Sequence, residues 1–129
     1  MEYIIFRKER MPKSRISGFK AVYKKDSNGP YIIIIKDRKI CIEPFDTNVE
    51  LTEQLRYLVC VYKDFMILGE WFLNKNTIRS YKPKVNKEDN RYSINISSSY
   101  INDFNIKFKT EDGLNDALLK MDEMFNVIW

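Results

Sequence analysis

The sequence predicts an α+β fold, with a single, mostly antiparallel sheet of about five or six strands and two helices. Short apolar or alternating segments follow one another across tight turn signals, which is typical of antiparallel strands. Two further segments begin with a helix-capping threonine and continue with helical periodicity. The length of 129 residues and the hydrophobic content of 44% suit one globular α+β domain, which we assign to residues 1–129.

The first part of the chain predicts two strands separated by a basic loop. Residues 3–6 are a short apolar strand, and residues 7–15 follow as a loop that contains a proline. Residues 19–24 alternate between the two faces with the period of a half-buried strand. Residues 26–30 contain Asn28-Gly29, a pair that supplies the positive φ of a tight hairpin turn.

The next strand is apolar on both faces, because Tyr31 precedes four consecutive isoleucines. Asp37-Arg38 then predicts a second hairpin, which leads into a strand at residues 40–42. We expect Phe19, Ala21, Ile40 and Ile42 to line the face that a helix covers, which leaves Ile32 and Ile34 on the opposite face. Three covers stay open for Ile32 and Ile34: the first helix, a long loop further along the chain, and a partner or second copy.

Residues 51–73 allow two interpretations. Thr47 and Glu50 match a capping box, which predicts a helix that starts here and ends near Gly69. The alternative is a hairpin of residues 55–62 and 65–73. We favour the helix because β-branched residues are few and the cap is good.

The last part of the chain predicts a loop, two strands and a helix. Residues 74–90 are polar and basic and predict a long loop. Residues 92–97 and 104–109 alternate as half-buried strands, and Thr110 caps a final helix. The predicted order is therefore β-β-β-β-α-loop-β-β-α.

The absence of histidine limits the chemistry of the chain. It excludes Ser-His and Cys-His nucleophilic systems and nearly all zinc sites. Asp26, Asp37 and Glu43 lie in or beside hairpins, where carboxylates usually cap turns. We therefore expect a protein that is not an enzyme, with no catalytic residue, metal site or cofactor. A nuclease or transferase that works without histidine stays open as a third hypothesis.

No apolar stretch approaches the roughly 20 residues that a membrane-spanning helix needs. A cluster of charges at residues 7–10 comes too early for the apolar region of a signal peptide. We therefore expect a cytoplasmic protein without a membrane segment, and we interpret Cys41 and Cys60 as reduced, partly buried thiols.

The first functional hypothesis is a small protein-binding module that neutralises or regulates a partner protein. Bacterial toxin-immunity proteins and phage inhibitors are classes of this kind, and the analogy rests on size and on the lack of catalytic chemistry. A homodimer is also left open. The proposed contact surface is the acidic side of the final helix, where charge would steer a basic partner. Its residues are Glu111, Asp112, Asp116, Asp122 and Glu123.

The alternative hypothesis is a nucleic-acid-binding accessory protein. The net charge is +4 and the isoelectric point is near 9.0, which suits a polyanionic partner. The cations concentrate in the two predicted loops. They are Arg7, Lys8, Arg10, Lys13 and Arg15 in the first loop, and Lys75, Arg79, Lys82, Lys84 and Lys87 in the second.

Overall fold

The computed structural model describes residues 2–23, 29–99 and 104–128. Within these ranges the chain is α+β, with two helices and antiparallel strand pairs, which confirms the predicted class. Within the described residues the strands form three sheets of five, three and two strands, so the prediction of a single sheet is wrong. The predicted order of elements is also wrong, because five strands precede the first helix and five more lie between the two helices. The chain divides into two compact units, Met1–Thr77 (unit 1) and Ile78–Trp129 (unit 2). The assignment of residues 1–129 to one domain stays a prediction.

Unit 1 contains a five-stranded sheet and a separate hairpin. The hairpin pairs β1 (Tyr3–Phe6) with β2 (Glu9–Pro12). In the five-stranded sheet the order is β5-β4-β3-β7-β6, so β5 and β6 are its edges. The strands of this sheet are β3 (Ile16–Val22), β4 (Tyr31–Lys36), β5 (Lys39–Pro44), β6 (Met66–Leu68) and β7 (Trp71–Leu73).

The predicted basic loop at residues 7–15 is the β1–β2 hairpin followed by a short 3₁₀ turn, Lys13–Arg15. Arg7 and Lys8 form the two-residue turn with φ angles of +51° and +74°. This is the mirror-image turn that a two-residue hairpin prefers, and it usually carries Asn or Gly. The loop prediction is wrong because Arg-Lys gives no turn signal in the sequence.

The first helix, α1 (Asn48–Val61), starts where the capping box predicts. The Thr47 hydroxyl accepts a hydrogen bond from the Glu50 N–H at 3.1 Å. The helix ends at Val61, and β6 and β7 form a hairpin that turns at Gly69, with φ +61°. A helix reaching Gly69 is therefore too long, and a hairpin starting at residue 55 is wrong. The apolar residues of 51–73 fit both the helical and the strand period. The sequence therefore did not show where the helix ends and the hairpin begins.

The first helix, together with the β1–β2 hairpin, covers Ile32 and Ile34; Ile4, Phe6 and Met11 of the hairpin belong to the same buried cluster as the two isoleucines. In the strand register Phe19 lies opposite Ile34, and residues directly opposite share a face of the sheet. All three side chains are buried in one cluster with Leu51 and Leu58 of α1.

The expectation that Ile40 and Ile42 share this covered face is wrong. They pair with Ile35 and Ile33, and their side chains are 52% and 63% exposed. Alternation along each strand predicts its two faces but not how the strands align, and a shift of one residue exchanges the faces.

The two predicted hairpin turns differ in outcome. Residues 24–28, which include Asp26 and Asn28, lie outside the described residues, and Gly29 has φ +70°. Asp37 and Arg38 have φ angles of +52° and +67°, which confirms the second turn. Both cysteines are free thiols, but Cys60 is exposed rather than partly buried.

Unit 2 contains β8 (Ile78–Asn86), β9 (Arg91–Ser98), β10 (Phe104–Phe108) and α2 (Glu111–Met124). The order of its sheet is β10-β9-β8. The predicted loop at residues 74–90 is wrong, because most of it is β8, preceded by the 3₁₀ turn Lys75–Thr77. Pro83 lies opposite Ile94 within this strand, and an edge strand tolerates the missing N–H.

The core of unit 2 lies between α2 and one face of this sheet. The Thr110 hydroxyl accepts a hydrogen bond from the Gly113 N–H at 3.0 Å, which confirms the predicted cap. Leu114, Ala117 and Met121 of α2 are buried. In the described parts of the chain, neither helix combines the length and apolarity needed to cross a membrane.

Candidate nucleic-acid interface

The face of the three-stranded sheet that points away from its apolar core is polar and basic. Ile94, Ile96 and Ile106 are buried on the core side, so the alternate residues of each strand lie on the other side. None of the three strands contains Asp or Glu. We call this surface the basic sheet face; its residues are Lys82, Lys84, Arg91, Ser93, Asn95, Asn105 and Lys107.

The strand register arranges these side chains in rows across the sheet. Ser93 lies opposite Lys84 on one side and Lys107 on the other. Two strand spacings separate the two lysines, which is about 9–10 Å between backbones. In the next row Asn95 is only 7% exposed and donates a hydrogen bond to the Asn105 side chain at 3.0 Å. Uncharged polar side chains therefore separate the cations.

The cations of this face are exposed and unpaired. Lys82, Lys84, Arg91 and Lys107 are all exposed. Among the described residues, none of them forms an ion pair, because each ion pair found there lies in unit 1. Unpaired surface cations hold a positive potential that an incoming anion can neutralise.

At one end of the three-stranded sheet lies an open concavity of about 570 Å³. Its full lining is Lys84, Val85, Asn86, Asn90, Arg91, Tyr92, Ser93, Asn105, Lys107 and Phe108. Tyr92 and Phe108 alternate with the cations and therefore direct their side chains to the core side, where the Phe108 ring lies against Gly113 of α2. The concavity thus offers an anionic ligand three cations and no carboxylate.

The turn between β8 and β9 carries two carboxylates, Glu88 and Asp89, which are not part of that lining. Asp89 accepts a hydrogen bond from the Asn86 side chain at 3.0 Å, and the Asn86 oxygen accepts the Asp89 N–H at 3.3 Å. Asp89 therefore stabilises the turn.

The first predicted basic segment is different, because most of its cations have partners inside unit 1. The Arg7 guanidinium donates to the Pro44 carbonyl oxygen, lies 3.6 Å from a Glu43 oxygen and stacks 4.7 Å from the centre of the Phe45 ring. Lys13 lies 3.7 Å from a Glu2 oxygen. These contacts tie the hairpin to the rest of unit 1.

Arg15 makes the strongest of these pairs. Its Nε donates to the two carboxylate oxygens of Asp37 at 2.9 and 3.0 Å, and a second nitrogen donates to the same carboxylate. This hydrogen bonding lowers the pKa of Asp37 and raises the pKa of Arg15. Arg10 donates to the Lys8 carbonyl oxygen at 3.0 Å, which is a backbone partner. In the described chain, Lys8 is therefore the one cation of the five whose side chain has no hydrogen-bond or ion-pair partner.

The acidic helix divides into structural and exposed carboxylates. Asp122 is half-buried and accepts a hydrogen bond from the Tyr81 hydroxyl at 2.8 Å. Burial first, and then this bond, raise the pKa of Tyr81 to about 12. Glu111 is half-buried, whereas Asp112, Asp116 and Glu123 are exposed.

The sequence located only part of the basic sheet face. Lys82 and Lys84 lie on it, but Lys75 belongs to the turn in unit 1, Arg79 lies at an irregularity of β8, and Lys87 follows the strand. Arg91 and Lys107 were missed. The alternation of β9 and β10 would have placed both on this face once residues 78–86 were recognised as a strand.

In the described parts of the chain, no three Cys, Asp or Glu side chains come together as metal ligands. Comparisons with protein-family models, with curated proteins and with solved structures found no match to this chain.

Proposed function

We propose that the chain binds single-stranded nucleic acid through the basic sheet face. One observation carries the proposal: three cations line one concavity, without a carboxylate. Lys84, Arg91 and Lys107 would contact phosphates, whose neutralisation releases counterions.

Uncharged polar groups between the cations support this proposal over a simple solvated surface. Ser93 and Asn105 offer hydrogen-bond donors and acceptors to sugars and base edges. Single strands suit the site better than a duplex, because their base edges are not engaged in pairing and stay open to these side chains.

The test compares two double charge reversals with the same net charge change. Binding of a labelled single strand of about 16 nucleotides is followed by fluorescence anisotropy at about 50 mM salt. Lys84→Glu/Lys107→Glu should weaken binding at least about tenfold. The control, Lys8→Glu/Lys75→Glu, reverses two exposed cations of unit 1 and should stay within about twofold of wild type.

Wild-type protein that does not bind at this salt concentration would refute the proposal. An equal loss in both variants would also refute it, because the effect would then follow net charge and not this surface. A duplex of the same sequence serves as the second probe, and we expect it to bind more weakly. Circular dichroism of each variant verifies the fold.

A second candidate function, a protein-binding module that neutralises a basic partner, rests on the exposed side of α2. Leu119 is 55% exposed and lies between the exposed carboxylates Asp116 and Glu123 along the helix. Lys120 is also exposed beside it, so the charges around Leu119 are two carboxylates and one cation. An exposed apolar side chain in a net acidic surrounding suits a steered protein contact, as in an inhibitor or immunity protein.

Co-purification from extract of the native strain tests this second function. A basic partner should be retained by wild type and lost with Asp116→Lys/Glu123→Lys. The matched control is Glu53→Lys/Asp64→Lys, which reverses two exposed carboxylates of unit 1. A partner that both variants retain, or none at all, counts against this function.

A further inference from the structure

Among the described residues, one edge of β5 pairs with no other strand, and we call it the free edge; its sequence is self-complementary. β5 is an edge strand of the five-stranded sheet, and its residues 39–43 read Lys-Ile-Cys-Ile-Glu. Two copies of this segment, paired antiparallel and centred on Cys41, place Lys39 opposite Glu43 and Ile40 opposite Ile42 in both halves. We propose that the chain self-associates through this edge, with a second copy as the occupant.

The hydrogen-bonding groups of the edge fit this register. The Phe45 N–H donates to the Pro30 carbonyl at 3.0 Å, toward β4. Because ladder partners alternate along an antiparallel strand, Cys41 and Glu43 also face β4. The N–H and C=O groups of Ile40 and Ile42 therefore point to the free edge, where each copy can bond the other.

The side chains fit the same register. Ile40 and Ile42 are 52% and 63% exposed, and pairing would bring four isoleucines together on the outer face. Lys39 lies opposite Lys36 within its own sheet, so a carboxylate from the second copy would offset that repulsion. Glu43 already lies 3.6 Å from Arg7, and a carboxylate can accept from a second cation.

Pairing the two copies about Ile42 instead of Cys41 removes this fit. Centring on Ile42 places Pro44, which has no N–H, opposite Ile40. The Arg7 guanidinium also occupies the Pro44 carbonyl, which ends the free part of the edge. Only a few residues of each copy meet, against the roughly 1,200 Å² of a stable interface, so dimerisation should depend on protein concentration.

A disulfide at Cys41 can report the pairing. The proposed register places Cys41 opposite Cys41 of the second copy, in a non-hydrogen-bonded pair. The backbones of such a pair approach to about 4.5 Å, within the range that a disulfide bridges. Diamide takes two electrons and two protons from the two thiols, which leaves a Cys41–Cys41 disulfide. A Cys60→Ser background removes the other free thiol, and Cys41→Ser is the control that should not crosslink.

Charge reversals decide whether the crosslink reports the proposed register. Lys39→Glu and Glu43→Lys each set like charges opposite one another and should lower the crosslinked fraction about three- to tenfold. The double variant Lys39→Glu/Glu43→Lys restores opposite charges and should recover most of it. Sedimentation equilibrium should show the same order of dimer content without oxidant.

Three results would overturn the proposal. One is a monomer at every concentration that also fails to crosslink. Another is a crosslinked yield that neither single reversal changes, because random collisions would explain it. The third is a double variant that crosslinks no better than the single reversals, since the two charges would then not face each other.

Discussion

The basic hairpin of unit 1, which here means residues 7–15 of the β1–β2 hairpin and the 3₁₀ turn after it, carries positive charge similar to that of the basic sheet face of unit 2. The two regions use this charge differently. In the hairpin, Arg7, Lys13 and Arg15 each have a carboxylate partner. On the described sheet face, Lys84 and Lys107 have none. A run of cations in a sequence therefore does not indicate a free charge, because tertiary neighbours decide which charges are already neutralised.

The two concavities show the same contrast. A groove of about 680 Å³ in unit 1 is lined by Arg7 and Lys8 but also by Glu50 and Glu53, so its charges cancel. The concavity of the basic sheet face has cations and no carboxylate in its lining. An anionic ligand should therefore bind the concavity of the basic sheet face more tightly than the groove of unit 1.

The largest expected effect is the salt dependence of nucleic-acid binding. If the four cations of the basic sheet face each neutralise one phosphate of a single strand, log K should fall against log salt with a slope of about −2.8. Affinity should then drop about 50-fold between about 50 and 200 mM salt. Anisotropy titrations at several salt concentrations measure the slope, and a value near zero would contradict the comparison.

The Lys8→Glu/Lys75→Glu variant should keep the wild-type slope, whereas Lys84→Glu/Lys107→Glu should roughly halve it. If the unit 1 variant instead makes the slope shallower, the charges of the hairpin are the ones that contact phosphate.

The sequence predicted best where one local signal specifies one backbone geometry. Thr47 and Thr110 each cap the helix that follows, because a short hydroxyl satisfies a free N–H whatever the rest of the chain does. Asp37 is comparable, since Asp tolerates the positive φ of a tight turn.

The failures arose where the local signal was weak or the answer lay in another strand. The Arg7-Lys8 turn has the same backbone geometry as Asp37-Arg38 but lacks a residue that favours it. β8 is an exposed edge strand with Pro83 and few apolar side chains, so its composition resembles a loop. The basic sheet face needed strand register, which is a tertiary property.

The second prediction concerns stability. Arg7→Ala should lower the free energy of unfolding by about 1–2 kcal/mol, because it removes a charged hydrogen bond and a cation–π contact at a partly exposed site. Lys84→Ala should change it by less than about 0.5 kcal/mol, since Lys84 has no ion-pair partner among the described residues. Urea unfolding measures both. Equal losses would mean that the sheet-face cations are structural too.

The third prediction extends the comparison to the carboxylates of α2. Asp122→Ala should cost about 1 kcal/mol, because it leaves the Tyr81 hydroxyl without its acceptor. Asp116→Ala, on the exposed side of the same helix, should have almost no effect. Thermal unfolding of the two variants decides the matter. A larger loss for Asp116→Ala would reverse the division between structural and exposed carboxylates.

The smallest expected effect is a pH dependence confined to the paired region. Hydrogen bonding from Arg15 lowers the pKa of Asp37 in the folded state. Its contribution to stability is therefore fully present above the unfolded pKa of about 4 and is lost as the pH falls through the lower folded value. Wild type should lose this contribution in acid, and Asp37→Asn should lack it at every pH while keeping the turn, because Asn also tolerates positive φ.

Unfolding curves of wild type and Asp37→Asn should therefore converge as the pH is lowered below about 4. Lys84→Gln supplies the comparison from unit 2. Since no carboxylate pairs with Lys84 in the described structure, its acid profile should parallel that of wild type. A profile that flattens for Lys84→Gln as it does for Asp37→Asn would show a carboxylate partner for Lys84 in solution. The distinction between a neutralised hairpin and a free basic sheet face would then fail at the residue on which it most depends.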